Sequence, residues 1–120
     1  MLDTTGIATV DTTRHRDVPV VVVTGEVDST SVAPVRVHLF DQLDRRPPGV
    51  VLDLSGVVFM GSTALQLLVE SAARAEHVGT ALVVVAQHRA VLLPMRITEL
   101  DRVMAVHATV DQAVTAVLSR

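Results

Sequence analysis

The segment from Val57 to Leu65 carries the side chains best suited to chemistry. It joins an apolar run to a glycine and two adjacent hydroxyls, Ser62 and Thr63, just before a helical pattern begins. One interpretation is structural, because serine and threonine are preferred helix N-caps. The other is functional: an exposed hydroxyl at a helix N-terminus can carry a phosphoryl group among free N–H groups and the positive dipole end. Both interpretations can hold, since one hydroxyl can cap the helix while the other is modified.

Several catalytic classes are excluded by residues that are missing. The chain has no Cys, which rules out disulfides, thiolate metal sites and cysteine nucleophiles. All 10 basic residues are Arg, so Schiff-base chemistry and a phosphate-binding loop that needs lysine are absent. No G-x-S-x-G pattern surrounds Ser62, and no G-x-G-x-x-G follows an apolar run. We therefore expect a chain that is not an enzyme.

The 5 histidines do not form a predicted metal site. Each falls in a separate predicted element, and none has another histidine or a carboxylate at the ligand spacing typical of a metal-binding helix. We interpret them as solvated or edge residues and predict neither a metal nor a cofactor. They are His15, His38, His77, His88 and His107.

Short β-branched runs bounded by Gly or Pro predict the strands. Runs of this length are typical of strands buried on both faces of a sheet that helices cover. Residues Val18–Thr24, Gly49–Leu54 and Ala81–Ala86 have this character. Ile7–Thr12 alternates weakly and predicts an antiparallel edge strand, joined to the next strand by a turn at Thr13–Asp17.

Helical periodicity fills the intervals between the strands. The first predicted helix has Ser29, Thr30 or Ser31 as its N-cap, Pro34 in its first turn, and an end before Pro47. The second begins at Ser62 or Thr63 and stops at Gly79.

The third predicted helix runs from Arg89 to about Ile97, and Pro94 should kink or end it. The fourth opens with a capping box at Thr109 and Gln112. A short strand precedes it, so the order β-β-α-β-α-β-α-β-α predicts an α/β domain with a small mixed, mostly parallel sheet covered by four or five helices.

Composition limits the partners. A chain of 120 residues fits one domain. A net charge of −3 and only 2 aromatic residues argue against nucleic acid or anionic lipid as a binding partner. No apolar run approaches the ~20 residues that span a bilayer, and the segment Met1–Gly6 lacks the features of a signal peptide. We expect a soluble cytoplasmic protein.

Four segments in order resemble the STAS-domain anti-sigma factor antagonists of bacterial partner-switching systems. They are Gly25-Glu26-Val27-Asp28, Val50-Val51-Leu52-Asp53-Leu54-Ser55, Phe59-Met60-Gly61-Ser62-Thr63-Ala64-Leu65, and Leu100-Asp101-Arg102-Val103 with the closing capped helix. Each segment is weak evidence alone, whereas four at the right separations are specific. The resemblance implies a single STAS-like domain over residues 1–120.

In that family the unmodified antagonist binds an anti-sigma factor that is also an ATP-dependent serine kinase. Phosphorylation ends the binding, and a separate phosphatase reverses it. The resemblance implies that Ser62 is the phosphoacceptor, with Thr63 as the second choice. It also implies a partner-binding face made of Asp28, Ser29, Thr30, Gly61, Ser62 and Thr63.

Three positions depart from the family pattern. Gly61 stands where the family has an acid before the phosphoserine, Ala64 replaces a glycine, and Glu99 replaces another. The missing acid favours an alternative, a divergent STAS sensor or scaffold that binds a protein or small ligand without phosphorylation. The retained Ser62 and Asp28 favour the phosphorylated antagonist.

Overall fold

Six strands form one mixed sheet in the computed structural model, which describes residues 3–5 and 8–120. The strands are β1 (Asp3–Thr5), β2 (Ala8–His15), β3 (Val18–Val27), β4 (Gly49–Met60), β5 (Ala81–Val85) and β6 (Ala105–His107). Their order across the sheet equals their order in the chain. The first two pairings, β1–β2 and β2–β3, are antiparallel, and the remaining pairings are parallel.

Four α-helices occur in the described part of the chain: α1 (Val32–Asp44), α2 (Ser62–Val78), α3 (Arg89–Ile97) and α4 (Val110–Leu118). A short 3₁₀ turn, Leu100–Arg102, lies between α3 and β6. None of the helices in residues 8–120 is long and apolar enough to cross a membrane.

The helices are divided unequally between the two faces of the sheet. Parallel strands are joined by right-handed crossovers, and each crossover here adds its strand on the same side of the previous one. All three crossover helices, α1 to α3, therefore pack on one face, where Leu39, Leu68 and Met95 enter the larger core. Within the described residues, α4, which follows the last strand, is the one helix that covers the other face.

Alternation along β4 links the two cores. Val50 and Leu52 point into the larger core, whereas Val51 between them packs with Val114 and Val117 of α4. A strand buried on both faces reads as a continuous apolar run, which is the pattern that predicted it. The predicted α/β architecture with a mixed, mostly parallel sheet is confirmed. The prediction that Ile7–Thr12 forms the antiparallel edge is wrong, because β1 pairs with the outer side of β2 and β2 is an interior strand.

Two strands are longer than their apolar runs indicate. β3 passes through Gly25, which has φ +88°, and continues to Val27. β4 passes Leu54 and continues to Met60 through two register shifts against β3. The additional strand β1 was not predicted. Four residues lie outside the described residues: Met1, Leu2, Gly6 and Ile7. They include the start of the predicted edge strand and half of the segment Met1–Gly6, for which no signal peptide is predicted.

The predicted helix ends are mostly confirmed. The Thr109 hydroxyl accepts a hydrogen bond from the Gln112 N–H at 3.1 Å, which is the N-cap half of the predicted capping box. Gly79 ends α2 in the left-handed region at φ +74°. The predicted bounds of α3, Arg89 to about Ile97, are also confirmed: Pro94 does not end the helix, and its carbonyl accepts from the Thr98 N–H at 3.1 Å.

Candidate functional site

The site lies where the carboxyl ends of β3 and β4 meet the first turn of α2. Gly61 joins the two strands, because its N–H donates to the Val27 carbonyl at 2.8 Å. A Cβ built on Gly61 would lie 3.6 Å from the Cα of Asp28. The backbones of the Gly61–Ser62 junction and of the loop after β3 are therefore in direct contact, as expected for neighbouring parallel strands.

Gly61, and not a hydroxyl residue, is the N-cap of α2. Its backbone is extended, with φ −80° and ψ 177°, and its carbonyl accepts from the N–H groups of Ala64 at 3.1 Å and Leu65 at 3.2 Å. Ser62 is already helical, and no side chain caps this helix. The prediction that Ser62 or Thr63 caps α2 is wrong, because the chain enters the helix one residue earlier.

Both hydroxyls at the helix start are consequently free of a capping role. Ser62 is exposed and Thr63 half-buried, and neither side chain has a hydrogen-bond partner within residues 8–120. Their N–H groups belong to the first helical turn, where no earlier helical carbonyl can accept them. An anion attached to Ser62 would meet these donors and the positive end of the helix dipole.

Asp28 begins a tight turn beside this helix. Its Oδ1 accepts from the Thr30 N–H at 2.9 Å and from the Thr30 hydroxyl at 2.7 Å. These bonds, the hydroxyl first, lower the pKa of the Asp28 carboxyl; desolvation opposes them and Ser31 adds a smaller effect. Asp28 is therefore a carboxylate at neutral pH.

Ser31 fixes the same turn from inside. It is buried at the N-cap position of α1, where its Oγ donates to the Glu26 carbonyl at 2.8 Å and accepts from the Asp28 N–H at 3.0 Å. It does not bond to the N–H groups of α1. Ser31 is thus the N-cap by position, while its hydroxyl serves the Asp28 loop. Ser29 and Thr30 are exposed on that loop.

The structure therefore brings together all six residues predicted for partner binding. Two exposed apolar residues, Val58 and Phe59, precede this site on β4 and are 63% and 49% exposed; the sequence reasoning did not identify them as surface residues. Val58 and Phe59 belong to a run of consecutive apolar residues, which is typical of a buried strand. Nothing in the local sequence therefore indicates that their side chains are exposed. His88 was also missed: its Nε2 donates to the Val57 carbonyl and holds this end of β4 against the start of α3.

No metal site accompanies this surface. Within the described ranges, 3–5 and 8–120, no group of three or more His, Cys, Asp or Glu side chains is arranged to hold a metal ion. The histidines make separate contacts, such as His15 with Asp111 and His38 with Thr12. The chemistry open to the site is that of an exposed hydroxyl and of a docking surface.

Comparison with known proteins assigns the fold to a family. The STAS domain model matches residues 9–113. The anti-sigma-F factor antagonist RsfB of Mycobacterium tuberculosis is 31% identical over 111 residues, 91% of this chain and 88% of RsfB.

Solved structures give the same assignment. An anti-sigma factor antagonist from Mycobacterium paratuberculosis has a TM-score of 0.83 and 33% identity, covering 92% of this chain and 93% of that one. An anti-sigma-factor antagonist (STAS) domain protein from Planctomyces limnophilus has a TM-score of 0.77 over 91% of this chain and 97% of that one. Its identity is 21%, so it supports the fold alone.

Proposed function

Because the chain belongs to the STAS-domain family, we propose that it is an anti-sigma factor antagonist that binds an anti-sigma factor and so releases a sigma factor. We take residues 1–120 as one such domain, acting in the cytoplasm where sigma factors meet RNA polymerase. The observation that carries the proposal is the exposed Ser62 hydroxyl, unbonded within the described chain and adjoining the Asp28 loop. The family pattern has its phosphoacceptor at this position.

The proposed partner is also a serine kinase that uses ATP. The Ser62 Oγ attacks the γ-phosphorus of ATP and forms the new P–O bond, while the bond to the β–γ bridging oxygen breaks and ADP leaves. The hydroxyl proton passes to a base on the kinase. A phosphatase would hydrolyse the phosphoserine and restore the binding form. In this scheme the chain is a substrate and a binding protein, not an enzyme.

Phosphorylation would act on binding rather than on the fold. A phosphate carries about −1.5 to −2 charges at neutral pH. At the N-terminus of α2 that charge is favourable by about 0.3–1 kcal/mol. Partner binding would remove water from the same charge in an interface shaped for a neutral hydroxyl, and burying it there without a matching partner group costs several kcal/mol. The interface effect is larger, so binding should be lost while the protein stays folded.

The direct test supplies purified wild type with the anti-sigma factor kinases of its organism and ATP. We expect one added phosphate, located at residue 62 by peptide mapping. Ser62→Ala should remain unmodified, and Thr63→Ala should be modified like wild type. Modification of Ser62→Ala at the wild-type level, or confined to Thr63, would reject Ser62 as the acceptor.

The second test mimics the modified form. Ser62→Glu should melt within a few degrees of wild type yet bind the anti-sigma factor at least 100-fold more weakly, since each ~1.4 kcal/mol is tenfold in affinity. Ser62→Gln is the matched control, with the same length but no charge. If the glutamate and glutamine variants bind equally, charge at residue 62 is not the switch.

A STAS sensor or scaffold that works without phosphorylation is the second candidate. Two observations favour it: Gly61 in place of the family acid, and an open groove of about 1110 Å³ between α2 and the β6 edge, lined in part by Val69, Val103 and Met104. In the groove wall, the buried His107 Nε2 has no partner among the described residues. Absence of phosphate transfer together with retained partner binding would select this candidate.

A further inference from the structure

A β-bulge in β4 controls which residues face solvent beside Ser62. Val57 lies opposite Gly25 of β3, but the next residue of β3, Glu26, lies opposite Phe59. Val58 is therefore an extra residue in β4. Such an insertion re-aims the side chains that follow it, and bulges are enriched next to functional sites.

The bulge has a specific effect on burial. Regular alternation after the fully buried Val57 would turn Val58 outward, Phe59 inward and Met60 outward. Instead Val58 is 63% exposed, Phe59 is 49% exposed, and Met60 is only 7% exposed in the core. The extra residue thus exposes two consecutive large apolar side chains while the strand still ends in the core.

We propose that Val58 and Phe59 form the apolar anchor by which this chain docks on its anti-sigma factor, which presents an apolar recess bordered by a basic side chain. The proposal rests on the proposed function and identifies the contact surface. Phe59 adjoins the switch, since its ring Cε2 would lie 3.5 Å from a Cβ on Gly61, the residue before Ser62. The anchor and the phosphoacceptor are then parts of one continuous surface.

The negative charges beside Val58 and Phe59 are the reason to expect a basic side chain at the border of the partner's recess. Glu26 lies opposite Phe59 in the sheet, and Asp28 follows two residues later. Neither carboxylate forms an ion pair with an Arg or His side chain in the part of the chain that the structure describes. The anchor therefore adjoins negative charge that the molecule itself leaves uncompensated, and a basic partner surface would complement it.

The other exposed apolar residues are arranged differently. Among the described residues the large exposed hydrophobic side chains elsewhere are isolated in sequence: Val37, Val69, Ile97, Val103 and Leu118. Val37, Ile97 and Leu118 are single exposed residues of a kind that is normal on a protein surface, whereas Val69 and Val103 line the open groove beside α2. Val58 and Phe59 are the adjacent pair.

The anchor is held by a rigid support. β5 ends at Val85 opposite Asp53, so no strand from residues 3–5 or 8–120 pairs with the later part of β4 on that side. There the His88 side chain donates to the Val57 carbonyl, while β3 pairs with the other edge of β4. Two apolar side chains on a pre-ordered segment lose little conformational freedom on binding, which favours affinity.

The test compares single variants by calorimetric titration with the purified anti-sigma factors of the organism, using unmodified protein. We expect Val58→Ser and Phe59→Ala each to weaken binding at least tenfold. Val37→Ser is the matched control, because Val37 on α1 is equally exposed at 66%, and it should bind within twofold of wild type. Glu26→Gln should lower the association rate and flatten its salt dependence.

Thermal melting of each variant distinguishes the loss of a contact with the partner from the loss of the folded structure. Val58→Ser changes an exposed side chain, so we expect it to melt at the wild-type temperature. If the wild-type protein binds the anti-sigma factor and both Val58→Ser and Phe59→Ala bind it with wild-type affinity, the anchor proposal is overturned. The proposed function is unaffected by that result. An equal loss in Val37→Ser would also overturn the anchor. Failure of wild type to bind any of the anti-sigma factors would overturn both proposals.

Discussion

At the scale of single residues, the informative position is Gly61. Its φ of −80° is accessible to every residue, and a Cβ there would make only ordinary contacts at 3.5–3.6 Å. Glycine is therefore not required here for backbone strain, for close approach or for a turn. The departure from the family's acid is a change of chemistry and not a structural necessity.

Gly61→Asp is accordingly a clean substitution. We expect it to fold with stability within about 1 kcal/mol of wild type, since aspartate is a good N-cap and the backbone is unstrained. If Ser62 is the acceptor, as we propose, a carboxylate beside it positions groups in the transition state, so Gly61→Asp should raise the phosphorylation rate more than partner affinity. Gly61→Asn controls for size and capping.

Single-turnover phosphorylation, denaturant unfolding and partner affinity should be measured on the same preparations. A rate no greater than that of wild type, with the fold intact, would show that the missing acid does not limit the switch. If Gly61→Asn raises the phosphorylation rate as much as Gly61→Asp does, the increase is due to helix capping and not to the carboxylate.

At the scale of elements, local signals predict some boundaries and miss others for definite reasons. The Thr109 cap is visible because its chemistry lies within four residues of sequence. The start of α2 is not, because Gly61, Ser62 and Thr63 are all acceptable N-caps and only the hydrogen bond from Gly61 to Val27 decides between them. The length of β4 depends on bulges against β3, which are long-range pairings that periodicity cannot report.

The α4 cap provides an energetic test. Thr109→Ala removes the acceptor for the Gln112 N–H and should destabilise the protein by about 1 kcal/mol, within a range of about 0.5–2. Gln112→Ala leaves that backbone bond intact and should change stability by less than about 0.5 kcal/mol. Urea unfolding measures both, and equal effects would contradict the assigned cap.

Two ion pairs between α1 and α2 surround the Phe40 ring. Arg36 pairs with Glu70, and Arg74 contacts Asp44 through two bonds of 2.8 and 3.1 Å. Both guanidinium carbons lie 5.4 Å from the centroid of the Phe40 ring. Hydrogen bonding to Arg74 lowers the pKa of Asp44, and hydrogen bonding to Arg36 lowers that of Glu70.

The sign of these shifts predicts an acid-sensitive contact. A carboxyl whose pKa is lower in the folded protein stabilises it above the unfolded pKa, and this stability is lost as the pH falls through the folded pKa. We therefore expect the melting temperature of the protein to decrease when the pH is lowered below about 4.5. Asp44→Asn and Glu70→Gln should each reduce that drop, whereas Asp101→Asn, an exposed acid with no ion pair in the described chain, should not.

At the scale of the whole molecule, α4 is attached to the sheet through a very close contact with Gly49. A Cβ built on Gly49 would overlap the Val117 methyl groups, approaching Cγ2 to 2.7 Å. Val117 is 4% exposed in the smaller core. Gly49 thus allows the only helix on that face, within the described residues, to reach the sheet.

Gly49→Ala should destabilise the protein by about 1–3 kcal/mol through overpacking, and Val117→Ala by about 2 kcal/mol through lost methyl groups. The double variant should be more stable than the sum of the two losses predicts, since the alanine fills space vacated by the valine. Denaturant unfolding of all four proteins gives the coupling. Strict additivity would show that the two residues do not share that space.

The chain-ordered sheet has a consequence for biosynthesis. Since each strand neighbours the strand made before it, every pairing partner has already left the ribosome when the next strand emerges. The nascent protein can complete β3, β4 and α2, and with them the Ser62 surface, while α4 is still inside the ribosome. During that interval Val20, Val51 and Val83 lie uncovered on the opposite face. The newborn chain therefore presents the Ser62 surface before its own folding is finished, and it is then most exposed to aggregation and to the chaperones that prevent it.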